Sequence, residues 1–179
     1  LELGCGKGEY TIAQARRNPD CNYVGVDIKG QRVWRGAKTI NEEDIRNVAF
    51  LRTRIEFIER FFAPGEVSEI WLTFSDPQPK DEKGTKRITS SVFIEQRYRN
   101  ILKPDSIIHV KSDSVLLYEL SKESYVEAGY QINYDSADVY GELVHRVPEK
   151  LRDLLEVKTF YEQMWLEQGK KIHYLQIQI

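Results

Sequence analysis

Three glycines in Leu3-Gly4-Cys5-Gly6-Lys7-Gly8, together with Glu2 just before them and Asp27 further on, are residues whose types and spacing can hold a small molecule. The run follows a strand-like start and precedes a segment of helical period, where a backbone must turn tightly and lie against a ligand. Asp27 closes the next apolar run, and a carboxylate there can accept hydrogen bonds from both hydroxyls of a ribose. Each residue alone reads as a tight turn or a strand-end charge. Their coincidence favours a nucleoside site.

The spacing G-x-G-x-G lacks the third glycine position of the dinucleotide fingerprint. A hydride-transfer enzyme would seat a pyrophosphate over the helix N-terminus, where Lys7 and the free amides could meet it. S-adenosylmethionine carries an amino-acid tail instead of a phosphate. An acid before the glycines, here Glu2, suits its amino end and tips the balance toward that cofactor.

A second constellation is Phe74-Ser75-Asp76-Pro77-Gln78-Pro79-Lys80, which ends a predicted strand. Asp76 then sits at the carboxyl edge of a sheet, where open α/β folds bind ligands, and two prolines stiffen the backbone behind it. Lys80, Lys83, Lys86 and Arg87 follow on what is expected to be a mobile loop, the best candidate for contact with a phosphate backbone. Taken singly, these are an ordinary turn and a solvated loop.

The elements that position these residues alternate. Short β-branched runs at Asn22 to Ile28, Val48 to Arg52, Val67 to Phe74 and Ser106 to Lys111 have the pattern of strands covered on both faces. Helical periods lie at Glu9 to Arg17, Gln31 to Asn41, Glu56 to Phe62, Ser91 to Leu102 and Val115 to Ala128. This order predicts a parallel sheet with right-handed crossovers. A helix from Thr159 to Glu167, a turn at Gly169 and an alternating strand over Ile172 to Ile179 end the chain, and a strand arriving by so short a turn can pair antiparallel. Asp81 to Thr85 and Ser136 to Leu155 are the least regular stretches.

The 179 residues are 41% hydrophobic, which suits one domain over residues 1–179. Leu1-Glu2-Leu3 reads as the tail of a strand, so a missing N-terminal segment is expected. With 26 Lys+Arg against 28 Asp+Glu the net charge is -2, and any nucleic-acid contact must rest on a local patch. The two cysteines and three histidines form no metal-ligand spacing, so no metal is expected. A reducing cytoplasmic setting, no membrane span, and either a monomer or a homodimer are the corresponding expectations.

These motifs together resemble the tRNA (guanine-N7)-methyltransferases. Leu1 to Gly6 is similar to the family's E-I-G-x-G turn, Gly25-Val26-Asp27 to its G-I-E, and Phe74 to Lys80 to its F-P-D-P-W-x-K. Lys86-Arg87 stands in the position of K-R-R, Val110 to Asp113 resembles the T-D strand end, and Thr159-Phe160-Tyr161-Glu162 resembles T-x-F-E. Ser75 and Gln78 depart from the pattern, and Arg54 stands where many members carry an acid.

The resemblance implies a Rossmann-like class I methyltransferase fold: a seven-stranded, mostly parallel sheet with an antiparallel last strand and helices on both faces. It implies S-adenosylmethionine as cofactor and a variable-loop guanosine of tRNA as substrate. Glu2, Gly4, Gly6, Asp27, the Arg54 region and Asp76 would line the cofactor, with Asp76 catalytic. Lys80, Asp113, Thr159, Phe160, Tyr161 and Glu162 would meet the guanosine, its acceptors being Asp76, Asp113 and Glu162. A same-fold methyltransferase of small molecules or proteins shares the features through Asp27 but not the later motifs. A nicotinamide dehydrogenase is disfavoured by Glu2 and the glycine spacing, and an inactive RNA-binding module by retention of Glu2 and Asp76.

Overall fold

A computed structural model describes all 179 residues. Seven strands form one sheet: β1 (Glu2–Leu3), β2 (Tyr23–Asp27), β3 (Val48–Arg52), β4 (Val67–Thr73), β5 (Leu102–Ser112), β6 (Gln131–Ser136) and β7 (His173–Gln178), in the order β3-β2-β1-β4-β5-β7-β6. Pairing is parallel from β3 across to β5, and β7 runs antiparallel between β5 and β6. The helices are α1 (Glu9–Arg17), α2 (Gly30–Glu42), α3 (Ser91–Phe93), α4 (Val115–Glu127), α5 (Glu149–Leu155) and α6 (Phe160–Glu167).

The central strands are buried on both faces, one apolar and the other mixing Trp71 and Tyr174 with buried polar groups such as His109 and Lys111. Alternation along them divides two cores. Ile70, Leu72, Ile108, Val110, Leu175 and Ile177 face one way and pack with residues of α3 and α4. Trp71 and Tyr174 face the other way and pack with Tyr10 of α1 and with Val139, Leu143, Val144 and Leu155.

Three expectations are corrected. The helix predicted over Ser91 to Leu102 is α3 followed by a wider π turn, Ile94–Tyr98, and the chain is already extended at Leu102. Strand β6 went unpredicted because Gln131, Asn133 and Asp135 break up its apolar residues, as suits the sheet's edge. The stretch from Ser136 to Leu155 is not loose, since it contains a 3-10 turn, Leu143–His145, and helix α5 after Pro148.

The glycine turn is packed from below. The Phe50 ring of β3 occupies a slot walled by Gly8, Gly25 and Gly36, and a Cβ at Gly36 would lie 2.7 Å from that ring and 2.8 Å from the Lys7 carbonyl oxygen. Backbone cannot withdraw as a flexible side-chain tip can, so Gly36→Ala is expected to cost about 1–3 kcal/mol by overpacking. Urea unfolding checks this, with Gly65→Ala as the comparison. The latter position has open space and is strained only by its positive φ of 67°.

Candidate active site

The chain moves outward from β1 to β2 and β3, then crosses back to β4, so the direction of winding reverses between β1 and β4. In open α/β sheets, loops diverge at such a point and leave a crevice at the strands' carboxyl ends. A cleft of about 400 Å³ lies there, and its walls include Gly4, Asp27, Arg54 and Asp76. Four residues picked out for the cofactor thus meet in one place.

The glycine turn is held by its neighbours. The Gly4 and Cys5 amides donate to the Val26 carbonyl at 2.8 and 2.9 Å. Asp27 Oδ2 accepts from the Gly6 amide at 2.9 Å and Oδ1 from the Lys29 amide at 2.7 Å. A carboxylate has about four acceptor positions, so two remain for a ribose diol. Gly4 and Gly6 have φ of 80° and 57°, and a Cβ at either would enter empty space above the turn. The turn therefore leaves room for a ligand against bare backbone.

Glu2 does not reach this cleft. It is buried, with Oε2 accepting from the Thr11 amide at 2.9 Å and from the Thr11 hydroxyl, and Oε1 from the Thr73 hydroxyl at 2.8 Å. Burial pushes its carboxyl pKa up against these hydrogen bonds. Glu2 therefore ties β1 to α1 and β4 beneath the glycine turn.

Asp76 is exposed on the cleft wall, and its Oδ1 accepts from the Gln78 amide at 2.9 Å, an Asx turn that points the loop. Phe74 and Gln78 flank it at φ of 54° and 47°. Left-handed backbone in a bulky residue costs on the order of 1–3 kcal/mol and gathers at functional sites.

The basic segment behind Asp76 is built, not loose. Asp81 accepts from the amides of Thr85, Lys86 and Arg87 at 3.1, 2.6 and 2.8 Å. Arg87, only 6% exposed, donates to the carbonyls of Pro77 at 3.2 Å and Asp81 at 2.9 Å. Arg87 thus braces the loop and offers nothing to a phosphate. Lys86 is folded back onto the cleft wall, and Lys80 stays exposed outside it.

On the far side, Thr159 caps α6 by accepting from the Glu162 amide at 3.3 Å. The Phe160 amide donates to Glu9 Oε2 at 3.1 Å, and Lys7 Nζ lies 5.6 Å from the Phe160 ring centre. Phe160 and Tyr161, 59% and 49% exposed, are therefore bare aromatics beside the glycine turn and not core packing. Asp113, just past β5, pairs with Lys170 at 3.0 Å.

Glu162 is the clear correction to the guanosine set. It is 0% exposed and pairs with Lys111 Nζ at 2.7 Å, while its Oε1 accepts from Tyr140 at 2.7 Å. Lys111 also donates to the carbonyls of Leu155 at 2.6 Å and Val157 at 3.2 Å. Burial pushes the Lys111 pKa down, and Glu162 partly restores it. Helical phase explains the inversion: Glu162 points inward where Phe160 and Tyr161 point out. Glu56, Thr53 and Ile28 also line the cleft and belong to no motif; the helix predicted over Glu56 to Phe62 is a 3-10 segment, Ile55–Arg60, with Glu56 in its first turn. Glu56 places an acid beside Arg54, at 3.9 Å.

The sheet order and the cleft define an S-adenosylmethionine-dependent methyltransferase of the Rossmann-like class. Solved structures share this fold: a SAM-dependent methyltransferase from Aquifex aeolicus (TM-score 0.66, 14% identity, covering 100% of this chain and 80% of that one). An antibiotic-related methyltransferase does likewise (TM-score 0.66, 16% identity, 99% and 85%). A family model described as "Putative methyltransferase" matches residues 1–175. Curated tRNA (guanine-N7)-methyltransferases are similar throughout. That of Bacteroides thetaiotaomicron is 50% identical over 100% of this chain and 68% of its own length, and that of Christiangramia forsetii 48% identical over 100% and 77%. The chain belongs to the tRNA (guanine-N7)-methyltransferase family.

No helix is long and apolar enough to cross a membrane, and no three His, Cys, Asp or Glu side chains stand together to hold a metal ion. Lys111→Met would leave Glu162 buried without its cation and is expected to cost about 3–5 kcal/mol in denaturant unfolding. Lys111→Met with Glu162→Leu should recover most of that loss.

Proposed function

We propose that this chain transfers the methyl group of S-adenosylmethionine to N7 of a guanosine in tRNA, giving 7-methylguanosine. The observation that carries the reading is the convergence of Gly4, Asp27, Arg54 and Asp76 on one cleft at the sheet's reversal point, in a chain of this family. We read residues 1–179 as one methyltransferase domain that works in the cytoplasm.

The residues present fit the cofactor. The bare backbone at Gly4 and Gly6 leaves space for it, Asp27 keeps acceptors for its ribose, and the turn from Thr53 to Glu56 walls the cleft's outer end. When bound, S-adenosylmethionine supplies an electrophilic methyl group on a positively charged sulfur.

Guanine N7 carries a lone pair in the plane of the ring, so no proton has to leave before it attacks. The protein's task is alignment, plus stabilisation of positive charge as it passes to the base. Asp76 is placed for both. Its backbone is fixed by Pro77 and the Gln78 amide, and its second oxygen faces no protein donor. That oxygen can accept from the guanine N1–H, where adenine presents a lone pair instead of a proton. Phe160 and Tyr161 offer exposed rings on which an unstacked base can rest, offsetting an unstacking cost of a few kcal/mol. Lys80 stands outside the cleft for a backbone phosphate, and Asp113 lies at the β5 end. Glu162 acts by anchoring α6 through Lys111.

The test uses radiolabelled donor, unmodified tRNA transcripts and chemical cleavage at 7-methylguanosine. Cleavage at a variable-loop guanosine is expected. Asp76→Ala should lower kcat about 10²–10³-fold, the scale for removing one preorganised electrostatic group. Donor binding without methylation of any tRNA would sink the reading.

Because no general base is used, kcat should stay flat from about pH 6 to about pH 9. A rise with pH near neutrality would point to an amine or hydroxyl acceptor instead.

A further inference from the structure

Helix α2 lies against the β2–β3 edge of the sheet and is scarcely covered. Of its 13 residues only Gly36 is buried. Its exposed residues include Arg32, Arg35 and Lys38, with Lys29 just before the helix, an every-third-residue series whose successive members adjoin while the row winds about 60° per step around the outer surface. Arg52 of β3 joins them. Its guanidinium lies over Gly30, where a Cβ would come within 3.3 Å of Nε.

These cations are poorly neutralised. Arg35 and Lys38 share a single carboxylate, Glu42, at 3.8 and 3.5 Å, and Lys29, Arg32 and Arg52 have no acidic partner within 4 Å. In a chain of net charge -2 this is a concentrated positive strip. Within it Trp34 is 62% exposed, with Lys38 Nζ 5.5 Å from its ring centre. A shallow depression of about 380 Å³ lies beside the ring, bounded by Ala37, Asn41 and Glu42.

Exposed cations interleaved with a bare indole fit nucleic acid. The cations meet phosphates and the ring stacks on an unpaired base. The strip begins at the cleft, since Lys29 and Arg32 line its wall, and runs away along the β3 edge of the sheet, across the strand order from β5 and Asp113. We infer that α2, with Arg52, is a second tRNA-contact surface that holds the phosphate backbone and one unpaired base while the target guanosine is at Asp76. This rests on tRNA being the substrate. The Asp81 loop keeps Lys80, Lys83 and Lys86 exposed but withdraws Arg87, so the α2 cations add to a loop patch smaller by one charge.

The test measures tRNA binding by fluorescence anisotropy across a salt series, with methylation and donor binding followed in parallel. Arg35→Gln/Lys38→Gln changes two exposed side chains that do not line the cleft. It should weaken tRNA about 10-fold at physiological salt and make the slope of log affinity against log salt shallower by about 2. Trp34→Ala should weaken tRNA about 5-fold or more and leave that slope unchanged. Both variants should bind S-adenosylmethionine as the unaltered protein does. Wild-type affinity and slope in both would overturn the inference. Binding reads the strip and methylation reads the chemistry. A protein whose tRNA affinity responds as stated but which methylates no tRNA would therefore keep the strip and lose the assigned reaction.

Discussion

A phenyl ring packed where three side chains are missing sets the floor of the whole site. Phe50 of β3 fills the space left by Gly8, Gly25 and Gly36, joining the glycine turn, the second strand and helix α2 in one contact. Interiors packed as densely as crystals transmit small displacements. The turn can therefore present bare backbone to a ligand only while that ring stays where it is. Glu2 completes the support from the other side by linking β1 to the start of α1 and the end of β4.

Around this floor, the carboxyl edge of the sheet is closed by buried charges more than by loops. The Lys111–Glu162 pair, with Tyr140 and two backbone carbonyls, draws together β5, α6 and the chain around α5. Such a pair need not add net stability, because desolvation of both ions offsets their attraction. What it fixes is position: with Glu162 pinned inside, the first turn of α6 has to hold Phe160 and Tyr161 outward, beside Lys7 and Glu9.

Asp76 depends on a different device. Its loop combines left-handed backbone at Phe74 and Gln78, an Asx turn, and the Asp81 and Arg87 hydrogen bonds that close the following segment. Strain there is held by bonds elsewhere in the same loop, which keeps an exposed carboxylate in one place. For a reaction that needs alignment and charge and no proton transfer, that rigidity is the main requirement.

Much of this was legible in the amino-acid order. Gly4, Gly6, Asp27 and Asp76 could be picked out because turns demand glycine and strand ends demand particular polar residues, which are local requirements. The alternation of apolar strands with helical periods likewise determined a wound α/β sheet, down to a final strand that turns back. Which side chains face the cleft was decided only by tertiary structure. Glu162 and Arg87 look like available charges in the sequence, yet helical phase and loop closure bury both. Strand β6, polar and at the sheet's edge, acquires its identity from pairing with β7. Burial and long-range pairing depend on residues far apart in the chain, and neither composition nor local period carries that information.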